Sequence, residues 1–167
     1  MTNTSALADI IKELVTTERN YVKKLRILKT EYGDPLRTFS REKTTAIIPP
    51  YEAKTLFGNI DQLLPVNEAF LADLEKMDQD RGPGVGDVAL KHFKTLKGFE
   101  CYRQYYAKHE EVQKLFEREV KKNARFADYI EVRRLLPIRQ TKRVTFSFSP
   151  ACQILHGFRL EEQVRSA

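Results

Sequence analysis

In the stretch ELVTTERNYVKKL, residues 13–25, one carboxylate sits where an apolar side chain would be expected. Leu7, Ile11, Leu14, Tyr21, Leu25 and Leu28 follow steps of four and three, the spacing of one face of an α-helix, and the same count gives the seat between Leu14 and Tyr21 to Glu18. A carboxylate buried there without a partner would cost several kcal/mol. Two arrangements avoid that cost. Glu18 can pair with a base from a neighbouring helix, such as Arg125 or Arg133. Alternatively, it can stay hydrated in an open groove until another molecule supplies donors.

No other residues assemble a familiar catalytic pattern. His92, His109 and His156 lie at no metal-binding spacing from one another or from Cys101 and Cys152, and read as packing or surface histidines. The two cysteines read as reduced, small buried hydrophobes. The glycine-rich stretch DQDRGPGVGD, residues 78–87, follows no strand, so it reads as a loop and not as a phosphate cradle. No nucleophile elbow and no histidine pair flanking a glutamate is present. An interaction or regulatory role with no cofactor and no metal is therefore the expectation.

A chain of 167 residues suits one domain with a core of its own. With 41% hydrophobic and 31% charged residues and only seven glycines and seven prolines, it reads as globular and helix-rich. No apolar run approaches the roughly 20 residues that cross a bilayer, and the start lacks a secretory layout, so a cytoplasmic protein is expected. The net charge is +6. Residues 121–143 carry Lys121, Lys122, Arg125, Arg133, Arg134, Arg139, Lys142 and Arg143 against Asp128 and Glu131, an excess equal to that of the whole chain. Such a segment suits phosphate, an anionic membrane or an acidic protein, or is simply a solvated face. Its few interleaved aromatics argue against nucleic acid.

Helical periodicity runs from Ala6 to about Tyr32, where Gly33 and Asp34-Pro35 are expected to stop it. Residues 34–46 read as polar and aperiodic. Pro50 opens a short helix to Phe57, Gly58-Asn59 punctuates it, and residues 60–77 form another helix bent or restarted at Pro65, with Asn67 a satisfied polar residue at the bend. A helix from Val88 to about Tyr106 would turn Leu90, Phe93, Leu96, Phe99 and Tyr102 inward. A further helix starts near Glu110, a break follows at Asn123, and the last helix runs toward Leu136. Residues 143–158 look extended. The expected class is all-α, an elongated antiparallel helical bundle across residues 1–136, with an incomplete or irregular segment at 137–167.

These blocks resemble a known family. ELVTTERNYVKKL is similar to the first conserved block of the Dbl-homology (DH) domain of RhoGEF proteins, LFGNIDQLLPVNEAFLADLEKM (56–77) to the second, and residues 85–116 to the helix pair that follows. The resemblance implies a helical bundle that promotes GDP release from a Rho-family small GTPase, taken in its GDP-bound or nucleotide-free form. It implies that Glu18 engages the GTPase's first switch from an uncovered part of its face. Thr17 and Tyr21 flank that contact, Tyr21 also fitting the core.

The third block departs from the family pattern. In LLPIRQTKRVTFSF (135–148), Pro137 and Ile138 fit, Arg139-Gln140 reverses the usual pair, Arg143 fills a basic position that would face the second switch, and Val144 replaces tyrosine. The family's leucine run is missing, and so is its later asparagine, since none follows Asn123. A truncated or aberrant third block without the last helix would weaken or abolish exchange. It would leave as the alternative a non-catalytic GTPase- or protein-binding helical module. In either case the expected location is the cytoplasm, with an anionic membrane surface as a further partner to which the protein could be recruited.

Overall fold

A computed structural model describes residues 3–77 and 84–135, and every regular element in them is helical. These are α1 (Asn3–Ile27), a wide π-helical turn (Leu28–Gly33), α2 (Asp34–Phe39), α3 (Pro50–Phe57), α4 (Ile60–Glu75), α5 (Val85–Ala89), a second π-helical turn (Leu90–Thr95), a 3-10 turn (Gly98–Glu100), α6 (Cys101–Lys122) and α7 (Ala124–Leu135). Two compact units form, one from Met1–Arg26 with Asn59–Tyr106, the other from Ile27–Gly58 with Ala107–Ala167. The expected boundary at 136/137, the extended-looking residues 143–158, Arg143, Cys152, His156 and most of the glycine-rich loop lie outside the described residues.

In the first unit α1 and α4 run antiparallel. Arg19 pairs with Glu75 at 2.7 Å and Arg26 with Glu68, so contacts that climb one helix descend the other. Phe70, Leu74 and Val88 form a core cluster joined by Leu14, Val15, Met77, Val85 and Phe99. Farther along, Tyr21, Val22 and Leu25 of α1 and Ile60 and Leu63 of α4 are buried. The apolar face read from the sequence is therefore the inward face from Leu14 onward, whereas Leu7, nearer the start, is exposed. Pro65 does not divide α4, and its ring sits on the exposed side of the helix.

The second unit departs from expectation at Gly33–Pro35. The chain does not leave the helix there but widens by one residue and continues into α2, with the Asp34 N–H bonded to the Lys29 carbonyl. Pro35 has no N–H to give the carbonyl of Glu31, four residues back. The Arg133 Nε donates to that carbonyl at 2.7 Å, and the Tyr129 hydroxyl donates to the next one, of Tyr32, at 2.7 Å. Side chains about 100 residues away thus satisfy the backbone that the proline disturbs. A Cβ on Gly33 would lie 3.2 Å from the Phe57 ring, so α3 approaches closely there and a larger residue would have to push that ring aside by a few tenths of an ångström. Gly58, at φ +50°, ends α3 in the left-handed region.

Three expectations in the region after residue 84 also change. The break falls at Leu96-Lys97, where Lys97 takes φ +50°, and α6 then runs unbroken through residues 106–110. Leu90, Phe93 and Leu96 are exposed, and His92 takes the inward place instead. His92 wins because its Nε2 meets Asp73 Oδ2 at 2.7 Å and its ring packs edge-on to Phe70. Lys91 donates to the same oxygen at 2.6 Å, and these two hydrogen bonds hold the Asp73 carboxyl down to about 2. The break at Asn123 stands as read. Its side chain caps α7 by accepting from the Phe126 N–H at 3.1 Å and donates to the Ile47 carbonyl at 2.8 Å.

Asn123→Ala removes both of these bonds. The expected loss is about 1–2 kcal/mol of unfolding free energy, read from urea denaturation at constant m-value, whereas a change within about 0.3 kcal/mol would show the cap to be dispensable.

Candidate functional site

Glu18 lies on α1, one turn before the best-buried part of the helix. It is 3% exposed, and its Oε1 has no hydrogen-bond partner. This corrects the expected open groove: the free domain covers the carboxyl. The ion-pair alternative fares no better, because Arg125 donates to the Ala46 carbonyl and Arg133 to the Glu31 carbonyl while stacking 3.7 Å over the Tyr129 ring. Among the described residues Glu18 has no ion pair. Desolvation alone pushes its carboxyl up from the ordinary 4.5 to about 7, so near neutral pH it holds its proton for a large part of the time.

Next to Glu18 runs a buried chain of polar groups. The Tyr21 and Tyr102 hydroxyls share a hydrogen bond of 2.7 Å, and Asn67 Nδ2 donates to the Tyr102 oxygen at 2.6 Å and to the Leu63 carbonyl at 2.7 Å. Burial raises both phenols further above their ordinary value, and the negative charge of an ionised Glu18 adds to this. The chain links α1, α4 and α6 without giving Glu18 a donor. Asn67 is thus the satisfied polar residue its position suggested. The partnership with Tyr102 was not legible, although Tyr102 stood in a predicted inward stripe.

The predicted residues do not converge equally. Tyr21 is buried one turn from Glu18 and fixed by Tyr102. Thr17 is exposed beside them. Arg143 lies outside the described residues.

The RhoGEF domain model matches residues 10–155, a stretch that contains Thr17, Glu18, Tyr21 and Arg143. The chain belongs to the RhoGEF domain family. Its helical architecture is that of the family's all-α bundle. Human Rho guanine nucleotide exchange factor 9 is 28% identical over 133 residues, 77% of this chain and 24% of that protein. Dynamin-binding protein of Canis lupus familiaris is 34% identical over 110 residues, 66% of this chain and 6% of that protein. Myosin-M heavy chain of Dictyostelium discoideum is 33% identical over 127 residues, 73% and 7% of the two chains. This RhoGEF domain thus corresponds to less than a quarter of the length of these relatives. No solved structure matches it significantly.

The raised carboxyl fixes a pH dependence of stability. Below pH 4.5 Glu18 is protonated whether the domain is folded or unfolded, so it imposes no penalty. Between 4.5 and about 7 the unfolded chain releases the proton and the folded one keeps it, so stability falls as pH rises and the penalty is complete above about 7. Glu18→Gln is therefore expected to raise the unfolding free energy at pH 8 by about 2–3 kcal/mol relative to wild type, with little effect at pH 4. Equal effects at both pH values would mean that the carboxyl is solvated.

Proposed function

We propose that this domain accelerates GDP release from a Rho-family small GTPase, with Glu18 as the side chain that engages the partner. Membership of the RhoGEF domain family supports the reaction, and a buried, unpartnered carboxyl on α1 supports the residue. Exchange of this kind makes and breaks no covalent bond. The factor lowers the barrier by binding the nucleotide-free GTPase better than the GDP-bound form.

Each residue of the site has a distinct part in this reading. Glu18 is kept from water in the free domain, and a donor from the GTPase's first switch would supply the partner its own fold withholds. A charge-assisted bond formed there offsets a desolvation cost already present before docking, so the carboxylate is worth more to the complex than one drawn from water. Tyr21 acts by position, since its hydroxyl ties α1 to α6 through Tyr102. Thr17 is exposed and available to the partner. Arg143 enters on the sequence match alone, as the group for the second switch. The cytoplasm is the proposed location.

The test is release of fluorescent GDP from a panel of Rho-family GTPases, with wild type and Glu18→Ala compared. Acceleration by wild type that falls about tenfold or more in the variant, roughly 1.4 kcal/mol of lost barrier stabilisation, is the expected result. Acceleration unchanged in Glu18→Ala would remove Glu18 from the site. No acceleration of any GTPase, with retention of a nucleotide-free one in pulldown, would leave a binding module.

A further inference from the structure

The residues that the sequence pattern turned inward, and the fold turned outward, form an unpartnered surface. Leu90, Phe93 and Leu96 are 54, 55 and 56% exposed. Their turn is anchored from the other side by His92, which is buried on Asp73 and Phe70. Phe93 is supported beneath by Phe99, stacked at 4.3 Å between centroids, and by the edge of Phe70 at 5.7 Å. The apolar side chains are therefore presented by a fixed segment.

A base follows each of them. Lys91, Lys94 and Lys97 are exposed, and residues 88–99 contain no aspartate or glutamate. Lys91 holds Asp73, whereas Lys94 and Lys97 have no ion pair among the described residues. Lys97 adopts φ +50° although glycine stands next in the chain.

We propose that residues 90–97 are a contact for an anionic lipid surface. Interfacial binding needs apolar side chains to enter the acyl boundary and cations to meet the headgroups, and it needs no shaped pocket. Lysine stems can lie along the same boundary with their ammonium groups among the headgroups. One base per apolar residue, with no acid between them, complements a surface that is uniformly negative. The more strongly basic segment after residue 120 is less free for that role. Arg125 and Arg133 hold backbone carbonyls, and Arg134 pairs with Glu131 at 2.6 Å. The contact does not depend on nucleotide exchange and stands if that reading fails.

The experiment is cosedimentation of the full chain, at about 0.1 M salt, with phosphatidylcholine vesicles with and without about a quarter phosphatidylserine. Binding is expected only to the phosphatidylserine vesicles. Lys94→Gln and Lys97→Gly should each weaken it about fivefold. Lys97→Gly should also keep or raise the melting temperature, because glycine suits a positive φ. Leu90→Ser with Leu96→Ser should weaken binding about tenfold without lowering the melting temperature appreciably. Lys121→Gln with Lys122→Gln should change it less than about twofold. Three results overturn the proposal: equal binding or none with both vesicles, loss confined to the Lys121 and Lys122 variant, or self-association in sedimentation velocity that Leu90→Ser with Leu96→Ser abolishes while vesicle binding persists.

Discussion

A carboxyl group enclosed in apolar surroundings must find a donor, keep its proton, or weaken the fold. Glu18 is placed between the second and third of these outcomes. It shares the inward face of α1 with Leu14, Tyr21 and Leu25, its Oε1 has no partner, and desolvation alone raises it to about 7. The hydroxyl and amide chain through Tyr21, Tyr102 and Asn67 ties α1 to α4 and α6. The two hydroxyls carry one O–H more than their shared bond uses, yet no bond from this chain reaches Glu18 Oε1. Leucine would suit the stability of the fold better there, and that departure supports the proposal that Glu18 meets a partner.

The second unit answers a comparable demand differently. Pro35 would ordinarily end a helix, yet α2 continues past it because Arg133 and Tyr129 donate to the Glu31 and Tyr32 carbonyls. The same arginine lies over the Tyr129 ring, so part of the basic segment is used to hold backbone. Charge that looked available for a partner is thus divided between the fold and the surface. The lysines around Leu90, Phe93 and Leu96 have fewer commitments of this kind.

Local chemistry was legible in the sequence wherever it was decided locally. Pro50 and Gly58 bounding α3, Asn123 capping α7, and the three- and four-residue steps through Leu14, Tyr21 and Leu25 all describe the folded chain. The conserved-block resemblance identified the family in the same way. Decisions made by distant residues were not legible. Passage through Pro35 depends on donors in α7, and the choice of His92 over Leu90 or Phe93 depends on Asp73, nineteen residues earlier. The burial of Glu18 belongs to this class: its seat on the apolar face was countable, but whether other helices would cover it was not.

The most direct measurement is a carbon-13 NMR titration of the Glu18 side-chain carboxyl, in the free chain and bound to a nucleotide-free Rho-family GTPase. A midpoint near 7 in the free chain, moving well below that in the complex, is the result expected of a carboxyl buried alone and then given donors by its partner. A midpoint near the ordinary 4.5 in the free chain would contradict it, because Glu18 would then already be solvated or paired.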